Sequence, residues 1–168
     1  MRRGTLIGVA LLTAVLLQTT IFADLRLLGA RPELMFLLAI LVGFYDGPAT
    51  ATTVGFTGGM AQDFLMDQPK GMTALTLTLL GFVIGNLRTY VVSRSPLVPI
   101  FVVFFGTFFG LLFYGLIAFL LGQFKLSPLY LLQVAALSSF YNAILTPLVA
   151  PLVRRILDVT RAQTTGRW

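Results

Sequence analysis

Residues 33–63 read ELMFLLAILVGFYDGPATATTVGFTGGMAQD, and how this stretch is divided decides the fold. Leu34 to Tyr45 is an unbroken apolar run, and Ala49 to Ala61 is a second run rich in Gly and Thr. Asp46-Gly47-Pro48 stands between them. As one helix from Leu34 to Gln62 the stretch would be roughly 43 Å long at ~1.5 Å per residue. That overshoots a bilayer hydrocarbon core of about 30 Å. The Gly-Pro pair also stops a helix, because Pro lacks an N–H and its ring clashes with the preceding turn. The stretch therefore reads as two short helices of about 20 Å each, which need local thinning or cover from neighbours.

The rest of the chain has the same character. Of its 168 residues 57% are hydrophobic and 11% charged, with a mean hydropathy of +0.92. A soluble domain of this size cannot hide that much apolar surface, so lipid is the solvent. Apolar runs predict spans at about 5–23, 33–45, 49–62, 71–87, 97–121 and 128–152, followed by a basic cytoplasmic tail at 153–168. Pro32-Glu33 reads as the start of the second span, with Pro in the first turn and Glu complementing the helix dipole. Ser127-Pro128 reads as the cap and first turn of the sixth. Arg2-Arg3 before an apolar run looks like a secretory signal, but cleavage after Ala23 would need a small residue where Ile21 stands. The run is read as an uncleaved first span. The fold class is an all-α integral membrane protein: a single transmembrane domain over residues 1–168, built as a compact bundle of six helices with the second and third short.

Six spans put both termini on one side of the membrane. Arg2, Arg3, Arg88, Arg94, Arg154, Arg155, Arg161 and Arg167 then share that side, and Arg26, Arg31, Lys70 and Lys125 lie opposite. Basic residues concentrate in cytoplasmic loops, so the first side is cytoplasmic. In a bacterium this is the inner membrane. The net charge of +6 is thereby explained by orientation, not by nucleic-acid binding.

The chemistry available is narrow. With no His and no Cys, Ser-His and Cys-His catalysis, thiolate chemistry and His or Cys metal sites are excluded. No nucleotide-binding fingerprint is present, and no cofactor is implied. Ionisable groups within the spans are nearly absent, although Gln18, Gln133 and Asn142 are polar residues inside them. Asp63 and Asp67 are four apart, so both fall on one face if the third helix continues. At the outer boundary they read as helix termination and a solvated loop, with Lys70 a weak surface partner. An enzyme is not expected.

What the sequence offers instead is packing. Lipid supplies no hydrophobic drive between helices, so close backbone approach through small residues must supply the attraction. Gly55 and Gly59, Gly81 and Gly85, and Gly106 and Gly110 place such pairs in three successive spans. In the third span the row extends from Ala51 to Asp63 on one face. The sixth span carries a polar face of Ser138, Asn142 and Thr146 that can bond to neighbours or to its own backbone. Phe101, Phe104, Phe105, Phe108, Phe109 and Phe113 crowd the fifth span, as expected of a helix packed on its glycine side and facing lipid or a partner on the other.

The chain also resembles a known family. Arg31-Pro32-Glu33-Leu34 follows a first span carrying Gln18-Thr19-Thr20 near its end. Then come Gly55-Phe56-Thr57-Gly58-Gly59-Met60-Ala61-Gln62-Asp63, Gly71 with Ala74-Leu75, and Tyr141-Asn142 ahead of Arg154-Arg155. Together these resemble the MreD family of rod shape-determining membrane proteins over nearly the whole chain. Two departures are Glu33, where Asp is commoner, and Met60, where Leu is.

The resemblance implies a non-enzymatic scaffold of the bacterial elongation machinery, or elongasome. Such a scaffold binds MreC directly and shares a complex with MreB, RodA and penicillin-binding protein 2, so that cell shape is coupled to peptidoglycan synthesis. It further implies packing or interface roles for Pro32, Glu33, Gly55, Gly59, Asp63, Gly71, Gly81, Gly85, Gly106, Gly110 and Asn142. The family is similar in fold to the substrate-binding components of energy-coupling-factor vitamin transporters. That similarity supplies the alternative, a vitamin-binding component that would contact a transducing subunit through Ala10 and Ala14.

Overall fold

The chain turns at Gly47, whose φ of 94° lies where only glycine is unstrained. This turn divides α2 (Leu34–Asp46) from α3 (Pro48–Leu65), with Pro48 as the first residue of the new helix, where its missing N–H costs nothing. The computed structural model describes residues 2–24, 30–65, 69–90, 95, 97–122 and 127–165. Arg26, Asp67, Arg94, Gln123, Lys125 and Arg167 lie outside the described residues. Four further helices complete the fold: α1 (Arg2–Asp24), α4 (Met72–Leu87), α5 (Val98–Leu120) and α6 (Pro128–Thr165).

α2 is the central element. Every residue from Leu34 to Gly43 is buried, and the helix touches all five of the others. A helix that is apolar all round belongs inside a protein, and here its cover comes from neighbouring helices. That answers the question its length raises: a helix this short needs no lipid-facing surface when α1, α3, α4, α5 and α6 surround it.

α5 is packed on one side only. Val103, Gly106, Thr107 and Gly110 are buried, whereas Phe101, Phe105 and Phe109 are 60%, 53% and 62% exposed. α5 and residues 128–158 of α6 are long and apolar enough to cross a bilayer, and only 33% of the most apolar window of each is buried within the chain. So much uncovered hydrocarbon suits lipid. Thr5–Gln18, α2 and α4 are apolar but shorter.

α6 does not stop at Leu152. It runs on to Thr165 through Pro147 and Pro151. Val153 and Leu157, 4% and 2% exposed, join the core cluster of α1 and α2 residues. Arg154 and Asp158 pair at 3.7 Å on the exposed side of this extension. The arginines suggest an exit from the membrane, yet the apolar residues four apart keep one face packed.

Candidate functional site

The closest helix contact joins α3 and α4. A Cβ placed on Gly55 would lie 2.4 Å from the carbonyl oxygen of Leu77, and one on Gly59 would lie 2.4 Å from Cα of Ala74. From the other side, a Cβ on Gly81 would meet the Ala51 carbonyl oxygen at 2.8 Å, and one on Gly85 the Pro48 nitrogen at 2.4 Å. Each of these contacts is to backbone, so no rotamer change can relieve it. Each glycine pair therefore faces the backbone of the other helix, and the two helices run antiparallel. Gly106 and Gly110 act differently. They receive side chains: a Cβ on Gly106 would stand 2.9 Å from Ile40 Cδ1, and one on Gly110 would stand 2.9 Å from a ring carbon of Phe36.

Asp63 closes this joint where α3 ends and α4 begins. It is fully buried, at 0% exposure, not solvated as its boundary position suggests. One carboxylate oxygen accepts from the backbone N–H groups of Gly71 at 2.8 Å and Ala74 at 3.2 Å, and the other accepts from Thr73 at 3.3 Å. Asp63 is thus a cap for the following helix rather than for its own. A carboxylate is favoured there by the orphan N–H groups and the positive end of the dipole. Gly71, at φ 93°, supplies the left-handed turn that aims those amides back at it. Lys70 donates its ammonium to the Asp63 main-chain carbonyl and lies 5.9 Å from the Phe64 ring centre.

A second polar joint holds the start of α2. Asn142 of α6 accepts from the Glu33 backbone N–H at 3.0 Å and donates to the Glu33 carbonyl at 3.1 Å. Its amide also donates to Thr107 Oγ1 of α5 at 3.1 Å. Gln18 of α1 accepts from the Met35 N–H at 3.2 Å and donates to the Glu33 carboxylate at 2.6 Å. The other carboxylate oxygen takes the Arg31 guanidinium at 3.1 Å, and Gln62 of α3 bonds the same carboxylate. Glu33 is the N-cap residue but its own side chain caps nothing. The cap comes from other helices. Pro32 precedes it, outside the helix, so Pro does not occupy the first turn as the sequence suggests.

Sequence reasoning leaves these residues separate. Gln18 and Asn142 stand out as polar groups within apolar runs, but Thr107 does not, and nothing places Gln18, Gln62, Thr107 and Asn142 around one backbone segment. Asn142 reaches Glu33 across 109 residues. Of the polar face on α6, Thr146 bonds back to the Asn142 carbonyl at 2.8 Å, and the neighbouring Ser139, outside that face, bonds back to the Ala135 carbonyl at 2.6 Å. Ser138 is buried, and Gln133 is exposed.

An apolar cleft of about 600 Å³ opens between α1 and α3. Gly8, Leu12 and Val15 form one wall; Thr53, Thr57 and Ala61 form the other. The hydroxyls of Thr53 and Thr57 bond to the carbonyls of Ala49 and Thr53, leaving methyl groups to the cleft.

Chemically, the two buried carboxylates are engaged as acceptors by amides and a guanidinium. Among the described residues no three His, Cys, Asp or Glu side chains gather as a metal would require. The arrangement joins helices.

No curated protein and no solved structure matches the chain. A family model does: that of rod shape-determining protein MreD, over residues 3–157. The match runs from the first turn of α1 to Leu157 of α6, and so takes in the glycine joint and both capped helix starts. It also carries the membrane location and the role in rod shape determination that define the family. The chain belongs to the MreD family of rod shape-determining proteins.

Proposed function

We propose that this protein is a non-enzymatic six-helix scaffold in the bacterial inner membrane that binds MreC and links MreB filaments to peptidoglycan synthesis. All six helices cross or enter the bilayer, with both termini cytoplasmic. MreC is bound directly, through its transmembrane helix and adjacent residues. MreB, RodA and penicillin-binding protein 2 belong to the same assembly.

The observation that carries this reading is the use made of the polar groups. Asp63, Gln18 and Asn142 are committed to holding helix starts, and the Glu33 carboxylate is taken up by Gln18 and Arg31. The outward-facing surface is left apolar, with Phe101, Phe105, Phe109, Phe140, Ile144 and Leu148 all more than half exposed. In lipid such a surface is suited to contact with other spans. The vitamin-binding alternative draws less support. Ala14, one of the two small residues it would use to meet a transducing subunit, is 7% exposed and packed in this chain's own core.

Copurification tests the reading. MreC from the same bacterium, coexpressed and extracted in mild detergent, is expected to elute with the protein in a defined ratio. Its absence from the eluate, together with a tightly bound vitamin in the purified protein, would overturn the scaffold reading.

A further inference from the structure

α1 is the outlying helix of the bundle. Val9, Leu12 and Leu16 are 61%, 63% and 53% exposed, and a methyl group on Gly8 would meet nothing within 4 Å. The cleft lies along its α3 side. Among the described residues of α1, Gln18 is the buried polar side chain, at 1% exposure. Its amide spans two groups of the α2 start, the Glu33 carboxylate and the Met35 N–H. The same α2 start is independently held from α6 by Asn142.

We infer that Gln18 is a latch: it fixes the inclination of α1, so that α1 moves as a separate wall of the cleft when the Gln18 contacts break. The physical basis is the contrast between the two flanks. α3 and α4 meet backbone to backbone along their length, and nothing there can slide without parting the helices. Among its described residues α1 meets the bundle through apolar side chains, which lipid tails replace at little cost, and through the buried Gln18 amide. Losing that amide leaves Met35 N–H uncapped and removes a donor from the Glu33 carboxylate, but Asn142 still holds the α2 backbone. The latch therefore opens without loosening α2. This inference stands apart from the identity of any partner.

The chain has no Cys, so spin labels can be placed at will. Labels at Val9→Cys and Phe56→Cys report the α1–α3 separation, and labels at Phe56→Cys and Val83→Cys report α3–α4; all three positions are about half exposed or more. Distances are read by pulsed electron resonance in lipid nanodiscs. Gln18→Leu is expected to raise the population at longer α1–α3 distance about tenfold, equivalent to about 1.4 kcal/mol, with α3–α4 unchanged. Asn142→Leu serves as the second variant and is expected to leave α1–α3 as in the unsubstituted protein. An α1–α3 distribution unaltered by Gln18→Leu would overturn the inference. So would a simultaneous change in both distances, because α1 would then not move separately.

Discussion

Replacing Gly59 by Ala adds one methyl group at a place with no room for it. The new Cβ would stand 2.4 Å from Ala74 Cα, 2.6 Å from Ala74 N and 2.9 Å from Thr73 C. Carbon atoms in contact rest about 3.5–4.0 Å apart, so α4 must retreat by about 1 Å or more. The retreat does not stop at the methyl group. Ala74 and Thr73 donate to Asp63 at 3.2 and 3.3 Å, already near the limit of a hydrogen bond. Parting the helices at Gly59 breaks these bonds. Overpacking costs about 1–3 kcal/mol, and hydrogen bonds to a charged group about 1.5–3 kcal/mol more. The expected loss is therefore about 3–5 kcal/mol, larger than one methyl group would suggest. Reversible unfolding in mixed micelles, followed by circular dichroism, measures it. Two substitutions fix the scale. Gly106→Ala meets the Ile40 side chain, with Cδ1 at 2.9 Å and Cγ1 at 3.2 Å, and should cost less, about 1–2 kcal/mol, because a side chain shifts more readily than a helix backbone. Gly8→Ala meets nothing and should be neutral or slightly stabilising. Equal midpoints for Gly59→Ala and Gly8→Ala would refute the claim that the α3–α4 joint is a backbone contact.

Asp63→Asn keeps the shape but turns one acceptor into a donor facing backbone N–H groups, so a loss of about 2 kcal/mol is expected in the same unfolding assay. Asn142→Leu removes two hydrogen bonds from the α2 start and one from Thr107, and amide exchange at Glu33, whose N–H Asn142 accepts, should quicken when followed by mass spectrometry, while exchange within α4 stays slow. Phe105→Leu, on the exposed face of α5, should leave unfolding unchanged within about 0.5 kcal/mol, and a larger loss would place that face inside the fold. Topology is checked by single cysteines: Lys70→Cys should react with an impermeant maleimide added outside intact cells, and Tyr90→Cys only after the membrane is opened.

The break at Asp46-Gly47-Pro48 is legible in the sequence because Gly and Pro act locally: each restricts its own backbone whatever surrounds it. The glycine rows are legible as faces for the same reason, since spacing of four fixes a helix face without reference to a partner. Which face meets which is not. Gly55 and Gly59 pair with Leu77 and Ala74 rather than directly with Gly81 and Gly85, whose partners are Ala51 and Pro48. That offset is set by how far α4 slides along α3, and no residue spacing encodes the slide. Asp63 reads wrongly as a solvated boundary residue because a cap normally serves its own helix, whereas here the loop carries the next helix start back over it. The full length of α6 is not legible in its apolar run: Arg154-Arg155 resembles a membrane boundary, while Val153 and Leu157 on the other face keep the helix packed.

The polar residues follow a single logic once depth is considered. Asn142 ties the first turn of α2 to Thr107, which lies well inside α5 (Val98–Leu120), not at either end of it. Measured along α5, α2 therefore begins beside the middle of that helix. A helix start has four N–H groups without intrahelical partners, and inside a packed bundle they need protein acceptors. They must be met by side chains, and a buried helix such as α2, apolar along its length, has none to offer. Gln18 and Asn142 meet that need from two other helices, and Asp63 does the same for α4. Each cap is therefore also a link between helices, and it costs more to break than an ordinary lipid-buried contact because it leaves a bare N–H behind. A sequence with few polar residues can in this way fix a short-helix bundle in one arrangement. The same few residues thereby fix how the helices of this MreD-family chain meet.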